Sequence, residues 1–454
     1  MLCWGKARRW WTRQAFYTLT RQTLLWAEKI SSSPAAFWTT QTFQLEDDFP
    51  PLPKGRGFQS YYFMNFELDA IHQDVQERAR QIAREVVAPQ AAMIDERGTY
   101  PHEVFAAFRE AELLGLCFPA EYGGSGAGTL GLALATEEIG KYCQSSALIL
   151  LLTRLSTAAI MLGGSEEQKQ RYGRGVATGT LKGAFALTEL EAGSDAAAIQ
   201  TTARREGATW VLNGSKRWAG QATEADFCIV VAKTEAASNG TNHEGVGVFI
   251  IDLPNPGFQI TRELPKMGVT AVPVVDIALQ ECRIPATQLV GDAVHGFKLT
   301  MQALNVVRPI VAARGLGLGQ GALQYAIDYA RERHTFGQPI IDHQAIGFGM
   351  ADIAMKIEAA RLLTYQACML VDGGKSDVSI APYLSMAKAY ASELAVEAAD
   401  RALQVLGGNG YLKDYATERY YRDARQLMLV EGTSEIHRLI IHRALKEDRL
   451  NYRS

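Results

Sequence analysis

One carboxylate, Glu431, lies at a position in the sequence where an acid could act in catalysis. It follows the apolar residues 427–430 and precedes a glycine in the stretch RQLMLVEGTSEIHRLI. Thr433 is a good N-cap residue, and Ile436 and Leu439 follow at helical spacing, so a helix is predicted to begin just after the acid. Two interpretations are open. Glu431 is either an acid favoured by the positive end of the helix dipole or a partly buried general base.

The sequence periodicity, which predicts the elements that position this acid, changes twice along the chain. Residues 64–182 have helical periodicity, residues 183–293 form β-rich segments separated by turns, and residues 294–448 are again helical and rich in alanine. This order predicts an α+β fold that is mostly α. We expect an N-terminal helical domain, a middle antiparallel β domain and a C-terminal four-helix bundle.

Two local signals predict where elements begin or turn. Ser165 followed by Gln168 is a capping box, which predicts a helix start. Asn213-Gly214 lies between apolar, β-rich residues, and this dipeptide is a strong signal for a two-residue hairpin.

Two stretches resemble signals for other kinds of protein. The alternating glycines at 315–321, GLGLGQG, sit inside a long helical pattern. A dinucleotide fingerprint should instead follow a strand and open a helix, so close helix packing is the better interpretation. The apolar run at 147–164 is interrupted by Arg154 and ends in two glycines. It is shorter than the ~20 residues of a membrane span, which predicts a buried core helix.

The composition is that of an ordinary globular protein of two or three domains. The chain has 454 residues, of which 47% are hydrophobic and 21% charged, and its formal net charge is −3. This balance, without an extended basic patch, argues against nucleic-acid binding. The six cysteines are scattered with no C-x-x-C pair, so neither a metal site nor a disulfide framework is indicated.

Residues 1–63 differ from the rest of the chain. Five Lys or Arg residues precede the first acid, Glu28, and DDFPPLPKGRG is typical of a linker. Organised helical periodicity starts at Met64. The basic start is either a transit peptide or the product of an incorrectly chosen start codon. We expect a cytoplasmic protein of bacterial type, or a mitochondrial matrix protein if residues 1–63 are a transit peptide.

Six sequence blocks, taken in this order, resemble the acyl-CoA dehydrogenase family of FAD-dependent enzymes. The resemblance spans about residues 64–446 and implies the same α, β, α order that the periodicity predicts. The blocks are FPAEYGGSG (118–126), FALTELEAGSD (185–195), LNGSKRW (212–218), RPIVAA (308–313), RERHTFGQPI (331–340) and QVLGGNGYLKDYATERYYRDARQLMLVEGT (404–433).

The resemblance implies a role for each matching position. Glu431 matches the catalytic base, which removes the α-proton of an acyl-CoA while FAD accepts the β-hydride. Contacts with FAD are implied for Phe185, Leu187, Thr188, Gly193, Ser194, Trp218, Gly220, Arg333, Thr335, Phe336, Gln344, Gln404, Gly407, Gly408, Thr433 and Glu435. Contacts with acyl-CoA are implied for Ser194, Asn305, Arg308, Tyr411, Gly432 and Arg443.

The same resemblance implies protein partners. Arg333 and Thr335 match a pair that reaches the FAD of a neighbouring subunit, and a forked donor beside a hydroxyl suits a pyrophosphate. Without that context, Arg333 could equally cap the end of a helix. A shared cofactor implies a homo-oligomer, either a dimer or a tetramer. Electron-transfer flavoprotein is the electron acceptor that the resemblance implies.

Three places in the sequence, compared with members of the family, bear on the substrate and on the electron acceptor. Gly220 replaces the threonine that most dehydrogenases place near flavin N5, as in relatives that resemble short-chain acyl-CoA oxidases, so O₂ is an alternative acceptor. Val307 occupies the alternative position of the base in some relatives, so Glu431 is the expected base. Residues 145–148 contain no Arg to meet a second carboxylate, which favours an apolar acyl chain. A catalytically silent flavin- or CoA-binding homologue is the third alternative.

Overall fold

The structure is a computed structural model that describes residues 67–235 and 244–450. The predicted extension, residues 1–63, and the predicted start at Met64 lie outside these residues. Helices α1 and α2 are joined by a π-helical turn, Ala83–Val87, and Asp69 caps α1 by accepting a 2.9 Å hydrogen bond from the backbone N–H of His72. The N-terminal helices are α1 (Ala70–Ile82), α2 (Ala88–Arg97), α3 (His102–Glu110), α4 (Gly128–Gly140), α5 (Gln144–Gly163), α6 (Glu166–Gln168) and α7 (Arg174–Ala177).

Two predictions for this helical region are confirmed. The Ser165 hydroxyl accepts from the Gln168 backbone N–H, and the Gln168 side chain accepts from the Ser165 backbone N–H, which completes the capping box at α6. Among the described residues, α5 is the one helix long and apolar enough to cross a membrane. Its most apolar window is 72% buried inside the protein, as expected for a core helix.

An eight-stranded sheet follows the helices, as predicted for the middle of the chain. Its order is β6-β7-β3-β2-β4-β5-β8, and β1 also pairs with β4. Most pairings are antiparallel, but β1 and β2 each run parallel to β4. The strands are β1 (Gly183–Ala186), β2 (Thr202–Glu206), β3 (Thr209–Gly220), β4 (Phe227–Thr234), β5 (Val246–Asp252), β6 (Phe258–Glu263), β7 (Val274–Pro285) and β8 (Leu289–Val290).

The hairpin predicted at Asn213 and Gly214 is wrong. Both residues lie inside β3, where the pairing with β7 shifts register, and the β2–β3 turn instead contains Gly207 at φ +59°. Gly214 has φ +146°, and a Cβ there would lie 2.7 Å from the Cα of Thr201. The Asn213 side chain meanwhile bonds to Glu281 on β7 at 2.8 and 2.9 Å. Gly214 therefore lies at a β-bulge within β3 and not in a turn. The Asn-Gly dipeptide alone does not distinguish the two.

The C-terminal region is a bundle built around one long helix, α8. This 37-residue helix packs against the other long C-terminal helices and also against α4 and α5, so it joins the bundle to the N-terminal helices. A short hairpin separates α8 from α9. The elements are α8 (Gly296–Glu332), β9 (His334–Thr335), β10 (Gln338–Pro339), α9 (Gln344–Asp372), α10 (Ala381–Leu406), α11 (Ala416–Leu427) and α12 (Ser434–Lys446).

The alternating glycines of α8 lie at helix crossings, as predicted. A Cβ at Gly317 would lie 2.3 Å from the Glu137 carbonyl oxygen, and a Cβ at Gly321 would lie 2.1 Å from the Lys141 carbonyl oxygen. Both contacts are with the C-terminal end of α4. These glycines let two helix backbones approach closely, and they do not form a nucleotide-binding loop.

Candidate active site

Glu431 lies in a tight turn between two helices. The preceding helix, α11, ends at Leu427, and α12 begins at Ser434 after its N-cap, Thr433, whose hydroxyl accepts from the backbone of Ile436 at 3.4 Å. Glu431 therefore precedes the N-cap by two residues and is not part of the first helical turn. Its backbone is left-handed at φ +54°, an uncommon conformation for a residue with a side chain, and Gly432 follows at φ +95°.

Glu431 is half-buried, and one of its two carboxylate oxygens is buried and unpaired. Its Oε2 atom is buried and has no hydrogen-bond partner among the described residues. Burial raises the pKa of the carboxyl above its ordinary value, while the cations Lys388, Arg308 and Arg314 act to lower it. A carboxylate with a raised pKa is a stronger proton acceptor than an exposed carboxylate.

Asn305 and Arg308, both predicted to contact substrate, lie together on α8. Both are buried, and the Arg308 guanidinium donates to the Asn305 side-chain oxygen at 2.6 Å. Burial lowers the pKa of Arg308 to about 10, while the nearby Glu431 acts to raise it. Arg308 Nε is buried without a partner in the described structure. The pair therefore leaves a polar donor facing the region of Glu431.

Three residues near Glu431 were missed by the sequence reasoning. Arg314 on α8, Lys388 on α10 and His437 on α12 are all fully buried. The Lys388 ammonium donates to the carbonyl of Gly432 at 2.7 Å, and both ring nitrogens of His437 lack a partner in the described chain. Burial lowers the pKa of Lys388 to about 7 and that of His437 to about 2. The available signal was a lysine on the apolar stripe of an amphipathic helix.

The residues predicted to face the flavin from the sheet also lie together. Strand β1 leads into Leu187 and Thr188, and the end of β3 carries Trp218. The two segments are joined because Arg217 donates its backbone N–H to the Thr188 carbonyl at 2.8 Å, and the Lys216 ammonium donates to the Leu187 carbonyl at 3.0 Å. Trp218 is 55% exposed and left-handed at φ +64°, so its ring lies open at the end of the strand.

Phe185 and Gly220 complete this edge of the sheet. Phe185 is half-buried on β1, and Gly220 ends β3. A Cβ at Gly220 would meet only Leu152 Cδ2, at 3.9 Å, so the position has room for a side chain. Gly193 and Ser194 lie in the exposed loop after β1, and a Cβ at Gly193 would meet nothing within 4 Å. This loop is open to a ligand.

A second group of predicted flavin residues lies at one end of the bundle. Thr335 shares a 3.1 Å hydrogen bond with the His343 ring, and the Asn409 amide donates to the Tyr329 hydroxyl at 2.9 Å, which ties the end of α10 to the end of α8. Phe336 is 97% exposed. The group is largely exposed and consists of Arg333, Thr335, Phe336, Gln344, Gln404, Gly407 and Gly408.

The other predicted residues lie on α12, just before it or, for Tyr411, after α10. Gly432 accepts the hydrogen bond from Lys388, and Thr433 caps the helix. Glu435 and Arg443 are exposed on α12, and Tyr411 is exposed after α10. The structure thus brings Asn305, Arg308 and Gly432 into the surroundings of Glu431 and leaves Tyr411 and Arg443 at the surface.

Family models match nearly all of the described chain. The N-terminal, middle and C-terminal domains of acyl-CoA dehydrogenase match residues 69–180, 184–282 and 294–446. The chain belongs to the acyl-CoA dehydrogenase family. Acyl-CoA dehydrogenases are FAD-dependent flavoprotein oxidoreductases of fatty acid β-oxidation. The fold and the family predicted from the sequence are therefore confirmed.

Two curated relatives cover almost the same part of the chain. A probable acyl-CoA dehydrogenase, YngJ, of Bacillus subtilis is 42% identical over 383 residues, which are 84% of this chain and 100% of the relative. The human mitochondrial short-chain specific acyl-CoA dehydrogenase is 38% identical over 380 residues, which are 84% of this chain and 91% of the relative.

Solved structures share the fold. Butyryl-CoA dehydrogenase from Megasphaera elsdenii has a TM-score of 0.80 and 34% identity, and the match covers 84% of this chain and 100% of that one. A chain from a structure of the electron transferring flavoprotein of Acidaminococcus fermentans has a TM-score of 0.81, 38% identity and coverage of 84% and 99%. A glutaryl-CoA dehydrogenase from Mycobacterium smegmatis, solved with FADH2, has a TM-score of 0.77, 27% identity and coverage of 84% and 95%.

The residues present fit FAD, the cofactor of the family. Trp218 and Phe336 are exposed aromatic rings, and a planar ring system such as that of a flavin can stack on surfaces of this kind. Added Cβ atoms at Gly193, Gly407 and Gly408 would meet nothing within 4 Å, so the backbone at these places is open to close approach.

Proposed function

We propose that this protein catalyses the FAD-dependent α,β-dehydrogenation of an acyl-CoA thioester to the trans-2-enoyl-CoA, with Glu431 as the base. The buried Oε2 atom of Glu431, which has no protein partner in the described chain, carries the proposal. A buried acceptor without a partner is costly, so it is usually retained for a ligand or for chemistry. Membership of the family supports the same role.

Glu431 acts on the α-carbon of the substrate. Its carboxylate accepts the α-proton, and its raised pKa makes it a better match for this weak acid than an exposed carboxylate would be. The backbone N–H of Glu431 is the donor that we assign to the thioester carbonyl, where negative charge develops as the proton leaves. Arg308, Arg314 and Lys388 lie near the carboxylate, and their positive charge favours its ionised form against the effect of burial.

FAD, when bound, supplies the two-electron acceptor that takes the hydride from the β-carbon. The sheet-edge residues Phe185, Leu187, Thr188, Trp218 and Gly220 are the ones that we assign to the ring system. The exposed group at the end of the bundle, with Arg333 and Thr335, is assigned to the pyrophosphate and adenosine parts of a neighbouring subunit's cofactor.

An apolar, unsubstituted or branched acyl chain is the substrate class that we propose. Helix α5 presents apolar residues through its middle, including the buried Leu148, Leu151 and Leu152. The α5 residues 145–148 include no cation that could pair with a second carboxylate. Leu152 is also the nearest side chain to Gly220, so α5 borders the sheet edge assigned to the flavin.

A homo-oligomer, either a dimer or a tetramer, is supported by one face of α9. Its exposed large apolar residues Phe348, Met355, Leu362 and Met369 recur every seven positions and so lie along one stripe. An apolar stripe of this length is typical of an interface. Oligomer formation would also bring Arg333 to the cofactor of a second subunit.

We propose electron-transfer flavoprotein as the electron acceptor, with O₂ as the second candidate. Gly220 favours the second candidate, because it removes a side chain beside the expected position of flavin N5. Space alone does not make an oxidase, however, since a bound enoyl product excludes water and disfavours the charge separation of oxygen reduction. A catalytically silent homologue is disfavoured by the retention of Glu431.

The domain limits that we propose are 64–182, 183–293 and 294–448, preceded by a separate extension at 1–63. A cytoplasmic location fits a bacterial protein. The mitochondrial matrix is the alternative if the extension is a transit peptide.

A panel of acyl-CoAs tests the proposed function. Anaerobic addition of a saturated acyl-CoA should bleach the visible flavin spectrum, and electron-transfer flavoprotein should then be reduced faster than peroxide forms in air. Faster peroxide formation at the same acyl-CoA concentration would make the protein an oxidase. Gly220→Thr, which has room for its side chain, should then suppress the reaction with oxygen. A panel without any bleaching would exclude both functions.

A further inference from the structure

Lys388 has an unusual position for a lysine. It lies on α10, is 0% exposed, and ranks among the largest fully buried side chains of the described chain. A buried ammonium group is expensive to desolvate, and such groups are normally paired with a carboxylate. In the described structure, no carboxylate lies within ion-pair distance of Lys388, and its ammonium group donates a hydrogen bond to the Gly432 carbonyl at 2.7 Å.

The other fully buried lysine, Lys216, shows what a structural pair looks like in this protein. Its ammonium group contacts a Glu189 oxygen at 2.7 Å and donates to the Leu187 carbonyl at 3.0 Å. Glu189 in turn accepts from the backbone of Gln200 and Thr201. Lys216 is thus neutralised within a complete network. Lys388 has no such network, so fold stability does not account for its charge.

The group that Lys388 does contact is part of the turn that carries the base. Glu431 and Gly432 are successive residues with positive φ, and a non-glycine residue in this region is strained, so it persists only where the surrounding structure holds it. The Gly432 carbonyl immediately follows Glu431 in the chain. The hydrogen bond that Lys388 donates from helix α10 to this carbonyl therefore restrains the conformation of the turn.

Charged and titratable groups approach this turn from every helix packed around it. Those that interact with Glu431 or Lys388 are Arg308 and Arg314 on α8, Glu393 on α10, and Glu435 and His437 on α12, while Asp423 on α11 interacts with Arg314. Of the cations, Lys388 has the largest influence on Glu431, and Glu431 is the largest influence that favours the charged form of Lys388.

We propose that Lys388 is a positioning residue for Glu431: it holds the left-handed Glu431–Gly432 turn through the Gly432 carbonyl and places a positive charge behind the carboxylate. This role rests on the proposed function, because it concerns the base of that reaction. Burial lowers the pKa of Lys388 to about 7, so Lys388 is mostly charged below pH 7. Its charge therefore opposes protonation of Glu431 there.

The first test is the pH dependence of the reductive half-reaction. The holoenzyme is mixed anaerobically with the acyl-CoA that reduces it fastest, and the rate of flavin bleaching is recorded from pH 5 to 9. In Lys388→Met the acidic limb of the plot of bleaching rate against pH should move to higher pH by about one unit. The reason is that a charge opposite to that of the Glu431 carboxylate has been removed. The plateau rate should also fall at least tenfold, because the turn is no longer held.

Two further variants separate positioning from general instability. Lys388→Arg keeps a charged donor and should return the acidic limb to within about 0.3 units of wild type. Leu394→Ala opens a cavity on the same helix, and it should lower the melting temperature without moving the limb. A flavin-loaded Lys388→Met enzyme with the wild-type limb and plateau would overturn the proposal.

A double-mutant cycle on the melting temperature tests the interaction of Lys388 with Glu431 without depending on catalysis. Lys388→Met, Glu431→Gln and the double variant are compared with wild type at pH 7. Removing Lys388 takes away the cation with the largest influence on the Glu431 carboxylate, so the double variant should be more stable than the sum of the two single effects implies. Additive effects would overturn the role of Lys388. Absence of bleaching in the wild type would instead overturn the proposed function and leave this cycle interpretable.

Discussion

His437 is buried directly below the turn that carries the candidate base. A Cβ built at Gly432 would lie 3.2 Å from His437 Nε2, and neither ring nitrogen has a partner in the described chain. Burial, with a smaller contribution from Lys388 and Arg308, lowers its pKa from 6.5 to about 2. The imidazole is therefore neutral at every pH at which the enzyme would work, and it cannot serve there as a proton donor.

This burial gives the protein a predictable sensitivity to acid. Below pH 6.5 the unfolded chain gains a proton on His437 that the folded chain does not accept until about pH 2, so the free energy of unfolding falls as pH decreases through this window. The loss reaches about 2 kcal/mol at pH 5. His437→Gln should show a smaller decrease between pH 7 and 5 in urea unfolding.

His442→Gln is the matched control, because His442 is exposed on the same helix. It should keep the wild-type loss of stability. An unchanged acid dependence in His437→Gln would show that another group is responsible.

At the residue scale the sequence predicted Glu431 as the base, with Asn305, Arg308 and Gly432 near it, but it did not predict Arg314, Lys388 or His437. The apolar run before the acid and the cap after it were sufficient to predict a junction, and the family resemblance then selected the base. Lys388 and His437 lie on other helices, 43 residues before and six after Glu431. The contact of Lys388 with the turn is a product of helix packing, which spacing along the chain does not encode, whereas His437 lies on the helix that begins just after the turn.

At the scale of elements, the glycines of α8 explain how closely the bundle packs on the N-terminal helices. Gly321→Ala would place a Cβ 2.1 Å from the Lys141 carbonyl oxygen, on a backbone that cannot easily move. We expect a loss of about 1–3 kcal/mol in the free energy of unfolding, despite the better helix propensity of alanine.

Gly319→Ala is the matched control two residues away. Its added Cβ would meet Ala398 Cβ at 3.7 Å, which is an ordinary contact. Here alanine should be neutral or stabilise the protein by up to about 1 kcal/mol. Equal effects of the two substitutions in chemical unfolding would contradict the close crossing at Gly321.

The elements also show where local sequence signals reach their limit. The Ser165 capping box and the helical pattern around 315–321 were predicted correctly, because both depend on residues within one or two turns. The signal at Asn213 and Gly214 failed because glycine at positive φ occurs both in two-residue turns and at irregular points within a strand. Only the position of Thr201 against Gly214 decides between them.

At the scale of the whole molecule, Arg333 tests the shared cofactor. It is exposed at the end of the bundle, beyond the last turn of α8. If it meets the pyrophosphate of a neighbouring subunit, Arg333→Ala should lower flavin content and oligomer stability together. Gel filtration with absorbance at the protein and flavin bands measures both. Full flavin occupancy in a monomeric variant would rule out the shared site.

The extension is tested by a chain that starts at Met64. The Bacillus subtilis relative is covered over its full length by 84% of this chain, and the family models begin at residue 69. The shortened protein should therefore keep the flavin content, melting temperature and activity of the full chain. Insolubility or loss of FAD on removal of residues 1–63 would show that the extension stabilises the body.

The central claim is that Glu431 removes the α-proton, and the most direct measurement is anaerobic flavin reduction in Glu431→Gln. The variant should retain FAD and show a spectral change on acyl-CoA binding, but reduction should be slower by about 10²- to 10⁴-fold or more, because a positioned base has been lost. Glu447→Gln, an exposed acid just after α12, should reduce at the wild-type rate. Near-normal flavin reduction in Glu431→Gln would contradict the account.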